Sequence, residues 1–176
     1  MTAPVRPRLL AGLIDSALVL AWAALVGVVG LALSWSGVLV GYGPLAVNLA
    51  GLLTIVVPVV LGLTLAESGR YEATPGKLRL GLRVRTEAGG RVSRARSLLR
   101  NLLKVGLPWT LLHLGAISVA AGGGWDAQLG AVLALLVLVA YLVSLLRGTG
   151  RTIYDQLSGT TVIAIAAGRR FATDGE

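Results

Sequence analysis

The sequence predicts an all-α membrane protein: four transmembrane helices, both termini in the cytoplasm, and a small cytoplasmic β-hairpin cap. Three observations carry that expectation. Of the 176 residues, 55% are hydrophobic and 14% charged, against about 25% charged in soluble domains, and the mean hydropathy is +0.80. Apolar residues gather in four runs, 9–33, 45–66, 98–121 and 127–146, each near the roughly 20 residues that cross a hydrocarbon core of roughly 30 Å. All sixteen Lys and Arg then fall on one side of that arrangement.

The runs differ in what interrupts them. Run 9–33 holds one charge, Asp15. Arg6 and Arg8 ahead of it would suit a cleaved signal peptide, but the run is too long and Asp15 would break its apolar region. Runs 45–66 and 127–146 hold no charge, while 98–121 holds Arg100 and Lys104 near its start and His113 further in. Within lipid only a helix satisfies its own backbone, so each run reads as a helix.

The cations orient the bundle. Arg6 and Arg8 precede the first run, ten more lie between Arg70 and Lys104, and Arg147, Arg151, Arg169 and Arg170 follow the last run. Connectors 34–44 and 122–126 hold none. The positive-inside rule therefore places both termini of a multi-pass membrane protein in the cytoplasm. The net charge of +8 is explained by topology and by anionic inner-leaflet lipids. Nucleic acid is not an expected partner, because no recognition helix, zinc motif or stacking platform accompanies the basic residues.

The cap comprises 67–97 and 147–176. From Lys77 the chain alternates, with Leu78, Leu80, Leu82 and Val84 against Lys77, Arg79, Arg83 and Arg85, the period of a two-faced strand. Thr74-Pro75-Gly76 reads as a turn before it, and Glu87 to Gly90 as a turn after it, with Val92 opening a return strand. Residues 160–165 form a second β-type run able to pair with 78–85. Arg94, Arg96 and Arg100 enter the third run, where snorkelling to headgroups and specific binding both fit.

Asp15 is the first candidate site residue. It follows Arg8 by two helical turns, about 10 Å along one face. One reading is an ion pair with Arg8 that fixes packing; the other is a protonatable or cation-binding site. His113 reads as a hydrogen-bonded packing residue or a relay. No catalytic, cofactor or metal motif is present: there is no Walker loop, GxSxG elbow or HExxH, and no cysteine at all. The expectation is a protein that is not an enzyme.

Three motifs then resemble one family. Arg8, Ala11, Ile14 and Asp15 resemble the RxxAxxID opening of the RDD family of bacterial integral membrane proteins. Thr74-Pro75-Gly76-Lys77, followed by Gly81-Leu82-Arg83-Val84, resembles its TPGK…GLRV stretch. Tyr154-Asp155 with Ser158-Gly159-Thr160 resembles its HDxxAGT signature, with Tyr154 where the family usually has histidine and Ser158 where it has alanine. The motifs span 8–162, so the resemblance implies a single domain over 1–176. It also implies that Arg8, Asp15 and Asp155 are the family's named arginine and two aspartates.

The resemblance implies transport as the usual function, including cation/proton antiport in some members. The expected functional cluster is Arg8, Asp15, Lys77 and Asp155, with Thr74, Pro75, Gly76, Arg83, Arg100 and His113 as secondary candidates. In that reading the protein moves a small solute or cation, and four helices per chain call for a homodimer. The alternative is a non-transporting scaffold whose basic face docks a cytoplasmic protein or anionic lipid.

Overall fold

The computed structural model describes residues 2–120, 122, 124–147 and 150–165; residues 166–176 of the expected cap, Arg169 and Arg170 among them, lie outside these. In chain order the elements are α1 (Val5–Trp35), α2 (Pro44–Ser68), α3 (Pro75–Arg79), β1 (Leu82–Thr86), α4 (Arg94–Asn101), α5 (Leu107–Ala120), α6 (Trp125–Leu146), α7 (Ile153–Leu157) and β2 (Thr160–Ala164). A π-helical turn, Leu102–Gly106, joins α4 to α5.

Among the described residues, three helices are long and apolar enough to cross a bilayer: Val5–Trp35, Leu45–Ser68 and Gln128–Leu146. Their burial runs opposite to that of a soluble helix. On α1 the buried residues are Arg8, Ala11 and Asp15, while Leu13, Leu18, Leu20 and Leu25 stand exposed. Apolar faces left open on this scale are those of a membrane protein.

The expected third span, 98–121, is divided. Its apolar part, α5, has 14 residues, about 21 Å at 1.5 Å per residue. The cause is Pro108. Proline donates no hydrogen bond and crowds the carbonyl four residues back, which here belongs to Lys104. Leu107 N–H reaches instead to the carbonyl of Leu102, and this wider spacing winds one π turn.

The cap also departs from the expected hairpin. Only Leu82–Thr86 is extended; the first part of the alternating run is helix α3. Thr74 caps that helix by accepting from Lys77 N–H, and Pro75 occupies its first turn, two features that favour helix over strand. β1 pairs antiparallel with β2, Val84 opposite Val162, as the second β-type run predicted. The return strand at Val92 shrinks to a single bridge between Arg85 and Arg91.

The two halves of the sheet are built alike. α2 ends at Ser68 and α6 at Leu146. At the same interval beyond each comes a threonine N-cap, Thr74 or Thr152, then a five-residue helix. Each unit then turns on a glycine at positive φ, Gly81 at 64° or Gly159 at 62°, and enters its strand. The register completes the match: Leu82 faces Ala164 and Thr86 faces Thr160. A local twofold axis therefore passes through the Val84–Val162 pair, and Lys77 and Asp155 occupy equivalent positions of opposite charge.

Candidate functional site

α1 begins, α2 ends, α4 begins and α6 ends around this sheet, and their polar residues meet there. Asp155 is fully buried at the third position of α7. Its Oδ2 accepts from Arg8 NH2 at 2.6 Å and from Thr152 N–H at 3.2 Å. Its Oδ1 accepts from Arg100 Nε at 3.0 Å and Arg100 NH2 at 2.8 Å. Thr152 returns the cap by accepting from Asp155 N–H, a reciprocal box that fixes the carboxylate. Burial pushes the Asp155 carboxyl up, but the charges of Arg100 and Arg8 outweigh it and hold it at about 2.

Arg100 continues the network. Its NH1 donates to Oε1 of Glu67, which also accepts from Lys77 Nζ. Asn101 Nδ2 donates to the second oxygen of Glu67 at 3.1 Å. Glu67, Arg100, Asn101 and Asp155 are all essentially sealed from solvent. Burial and then the neighbouring Arg100 charge lower Lys77, and despite the opposing pull of Glu67 it falls to about 7.

Asp15 lies beside this network with partners of its own. Thr74 Oγ1 donates to its Oδ2 at 2.6 Å and Gly76 N–H to its Oδ1 at 2.9 Å. The expected Arg8–Asp15 ion pair is therefore replaced: Arg8 turns to Asp155 and to the Gly150 carbonyl, while α3 captures Asp15. Gly76 is required for that capture. A Cβ there would run into the Ala11 carbonyl oxygen, far inside contact distance. Pro75 starts α3 at this point of closest approach to α1.

The structure thus gathers Arg8, Asp15, Lys77, Asp155, Thr74, Pro75, Gly76 and Arg100 at one place. Arg83 is elsewhere: with Arg85 and Arg91 it surrounds Glu72 on the other face of β1, at 3.8, 2.6 and 3.0 Å. His113 is also remote, half-buried on α5 opposite Gly51 of α2. Glu67 and Asn101 were absent from the sequence-derived set. Glu67 carried a signal all the same, as an acid directly after the uncharged run 45–66, where a lone charge is expensive.

The network encloses a cavity of about 50 Å³, lined by Arg8, Asp15, Lys77, Arg100, Lys104 and Tyr154 among others. That is space for a few water molecules. The Tyr154 ring is held edge-on to Tyr141 at 5.0 Å and under the Arg100 guanidinium at 5.2 Å.

No curated protein and no solved structure matches the chain. The RDD family matches it over residues 2–159, which takes in the network, the cavity and the sheet up to the start of β2. The chain belongs to the RDD family.

Proposed function

We propose that this protein spans the inner membrane four times, with both termini in the cytoplasm, and moves a small solute or ion under control of its buried charge network. One observation carries the reading: Arg8, Glu67, Arg100 and Asp155 tie α1, α2, α4 and α7 around a polar cavity. A static lock has little need of such charges, since apolar packing stabilises as well at lower desolvation cost. Buried ion pairs that separate and re-form provide a gate. In this reading the path from α4 through the π turn into α5 is the fourth span. The solute path is completed by a second copy of the chain, and anionic lipids face the basic cap.

A second reading draws on a different surface. Arg70, Arg79, Arg94 and Arg96 are exposed on the cap, and they suit a scaffold that docks an acidic protein. Reconstitution in liposomes separates the two. The transport reading expects flux under a proton, sodium, potassium or phosphate gradient, and loss of most of it in Asp15→Asn with folding intact. Well-folded wild type that moves none of these overturns transport and leaves the scaffold.

A further inference from the structure

The cavity has an unusual charge balance. Four cations line it, Arg8, Lys77, Arg100 and Lys104, but among its lining residues Asp15 is the acid. Behind the wall stand Glu67 and Asp155, already engaged by Lys77, Arg100 and Arg8. Asp15 is engaged by Thr74 and Gly76. Four basic side chains thus meet three carboxylates, and one of the four is left without an ion-pair contact. Holding a partly buried charge in that state is costly.

That side chain is Lys104, whose charge acts on Glu67 and Lys77 only from beyond salt-bridge distance. It is half-buried, lines the cavity, and has no ion-pair or hydrogen-bond partner among the described residues. Its position follows from the π turn Leu102–Gly106, which shifts the helix register where Lys104 sits. Tyr154 and Arg8 line the same space, and neither the Tyr154 hydroxyl nor Arg8 Nε has a hydrogen-bond partner among the described residues. Ammonium, hydroxyl and guanidinium donors converging on one pocket suit the lone pairs of an oxyanion.

We propose that this cavity binds a phosphate-type oxyanion, with Lys104 as its principal counter-charge and Tyr154 and Arg8 as further donors. The oxyanion is either free phosphate or the phosphate of a lipid headgroup. A cation is a poor occupant of the same space, because four basic side chains line it against one carboxylate. The site names a substrate class for the gating reading and rests on the same network, but its existence does not depend on flux.

Anion binding is coupled to protonation. Lys77 is faced by Glu67 from α2, Arg100 from α4, Lys104 from the π turn, Arg8 and Asp15 from α1, and Tyr154 and Asp155 from α7. Its proton is labile near neutral pH, and an added anion favours the charged form. Sulfate, an oxyanion whose charge is constant over this range, therefore binds several-fold more tightly at about pH 6 than at about pH 8.

The test is thermal unfolding of the purified full chain with sodium phosphate against sodium chloride at matched ionic strength. Phosphate is expected to raise the midpoint saturably, about tenfold more weakly for Lys104→Gln, with Lys104→Arg close to wild type. Without phosphate, Lys104→Gln unfolds close to wild type, because Lys104 forms no salt bridge and its pull on Glu67 is offset by its push on Lys77. Nanodiscs identify the source. Phosphatidylglycerol that stabilises through Lys104 and abolishes the phosphate response marks a headgroup site; an unchanged response in phosphatidylcholine marks free phosphate. No saturable response to either, or one unaltered in Lys104→Gln and, for sulfate, flat with pH, overturns the proposal. Binding without flux removes the transport reading and leaves this site; flux without a phosphate response removes the site alone.

Discussion

Arg8 and Asp155, separated by 147 positions in the chain, lie 2.6 Å apart at NH2 and Oδ2 with both side chains withdrawn from solvent. The pair joins the first turn of α1 to the third residue of α7, so the two ends of the described chain close on one another. Ala3 strengthens the closure, its N–H donating to the Val162 carbonyl at 2.8 Å beside β2. The cap is thereby held by both halves of the protein rather than by the segment between α2 and α4 alone.

The two members of that pair are not energetic equals. Asp155 serves Arg8, Arg100 and the α7 cap, whereas Arg8 serves Asp155 and one carbonyl. Removing the acid leaves buried Arg8 with one carbonyl and Arg100 with Glu67 alone; removing Arg8 leaves Asp155 still paired to Arg100. Asp155→Asn is expected to cost about 3–5 kcal/mol and Arg8→Met clearly less. The charge swap, Arg8→Asp combined with Asp155→Arg, should restore little, because it sets a second guanidinium against Arg100. Denaturant unfolding in detergent measures all three, and full recovery by the swap would contradict the three-way geometry.

Glycines at the site divide by what surrounds them. A Cβ at Gly76 would strike the Ala11 carbonyl oxygen and come within 2.9 Å of Asp15 Oδ1, while one at Gly12 meets nothing within 4 Å. Gly76→Ala should therefore lift α3 from α1, break the Asp15 bonds and cost about 1–3 kcal/mol or more. Gly12→Ala should be neutral within about 0.5 kcal/mol. Equal effects of the two would mean that α3 does not sit against α1 in this way.

The twofold relation of the cap makes a paired prediction. Gly81 and Gly159 share a left-handed conformation, at 64° and 62°, and neither has a neighbour closer than 3.9 Å to an added Cβ. Alanine at each position then meets backbone strain without a clash, at about 1–2 kcal/mol. The two substitutions should cost the same, and unfolding midpoints of the singles compare them directly. A large inequality would show that the two helix–glycine–strand units are not equivalent.

Much of this was legible in the sequence, and the remainder had physical reasons to hide. Apolar runs reported α1, α2 and α6 because lipid exposure demands unbroken hydrophobicity. The same rule took 98–121 as one continuous helix, since hydropathy does not register that Pro108 denies the Lys104 carbonyl its partner. Alternation of Leu and Arg announced a strand from Lys77, but a threonine cap and a proline in the first turn held the opening residues helical. Asp15 stood out as a charge inside an apolar run, while Arg8, Lys77 and Asp155 followed from the motifs that resemble the family. Two turns of helix suggested Arg8 with Asp15; a meeting of Arg8 with Asp155 required the stretch after the fourth run to fold back against the inner helix ends, and α7 does so. Glu67 was missed at the edge of a run whose interior alone drew notice.

The network also sets two pH windows of opposite origin. Asp155 is held at about 2 against an ordinary 3.8, so the folded state binds its proton less readily than the unfolded chain. Its contribution is complete above about pH 4 and is lost as the pH falls towards 2. Lys77 is lowered to about 7 from an ordinary 10.5, so between those values the unfolded chain holds more protons. Charged Lys77 costs stability below pH 7, and that cost is relieved as pH rises from 7 towards 10.5. Thermal unfolding across the range should show an acid limb and an alkaline rise. Lys77→Met should abolish the rise and spare the acid limb, because Glu67 keeps Arg100 and Asn101 as partners. A rise that survives in Lys77→Met would assign it to another group and place Lys77 outside the proton-sensitive part of the network.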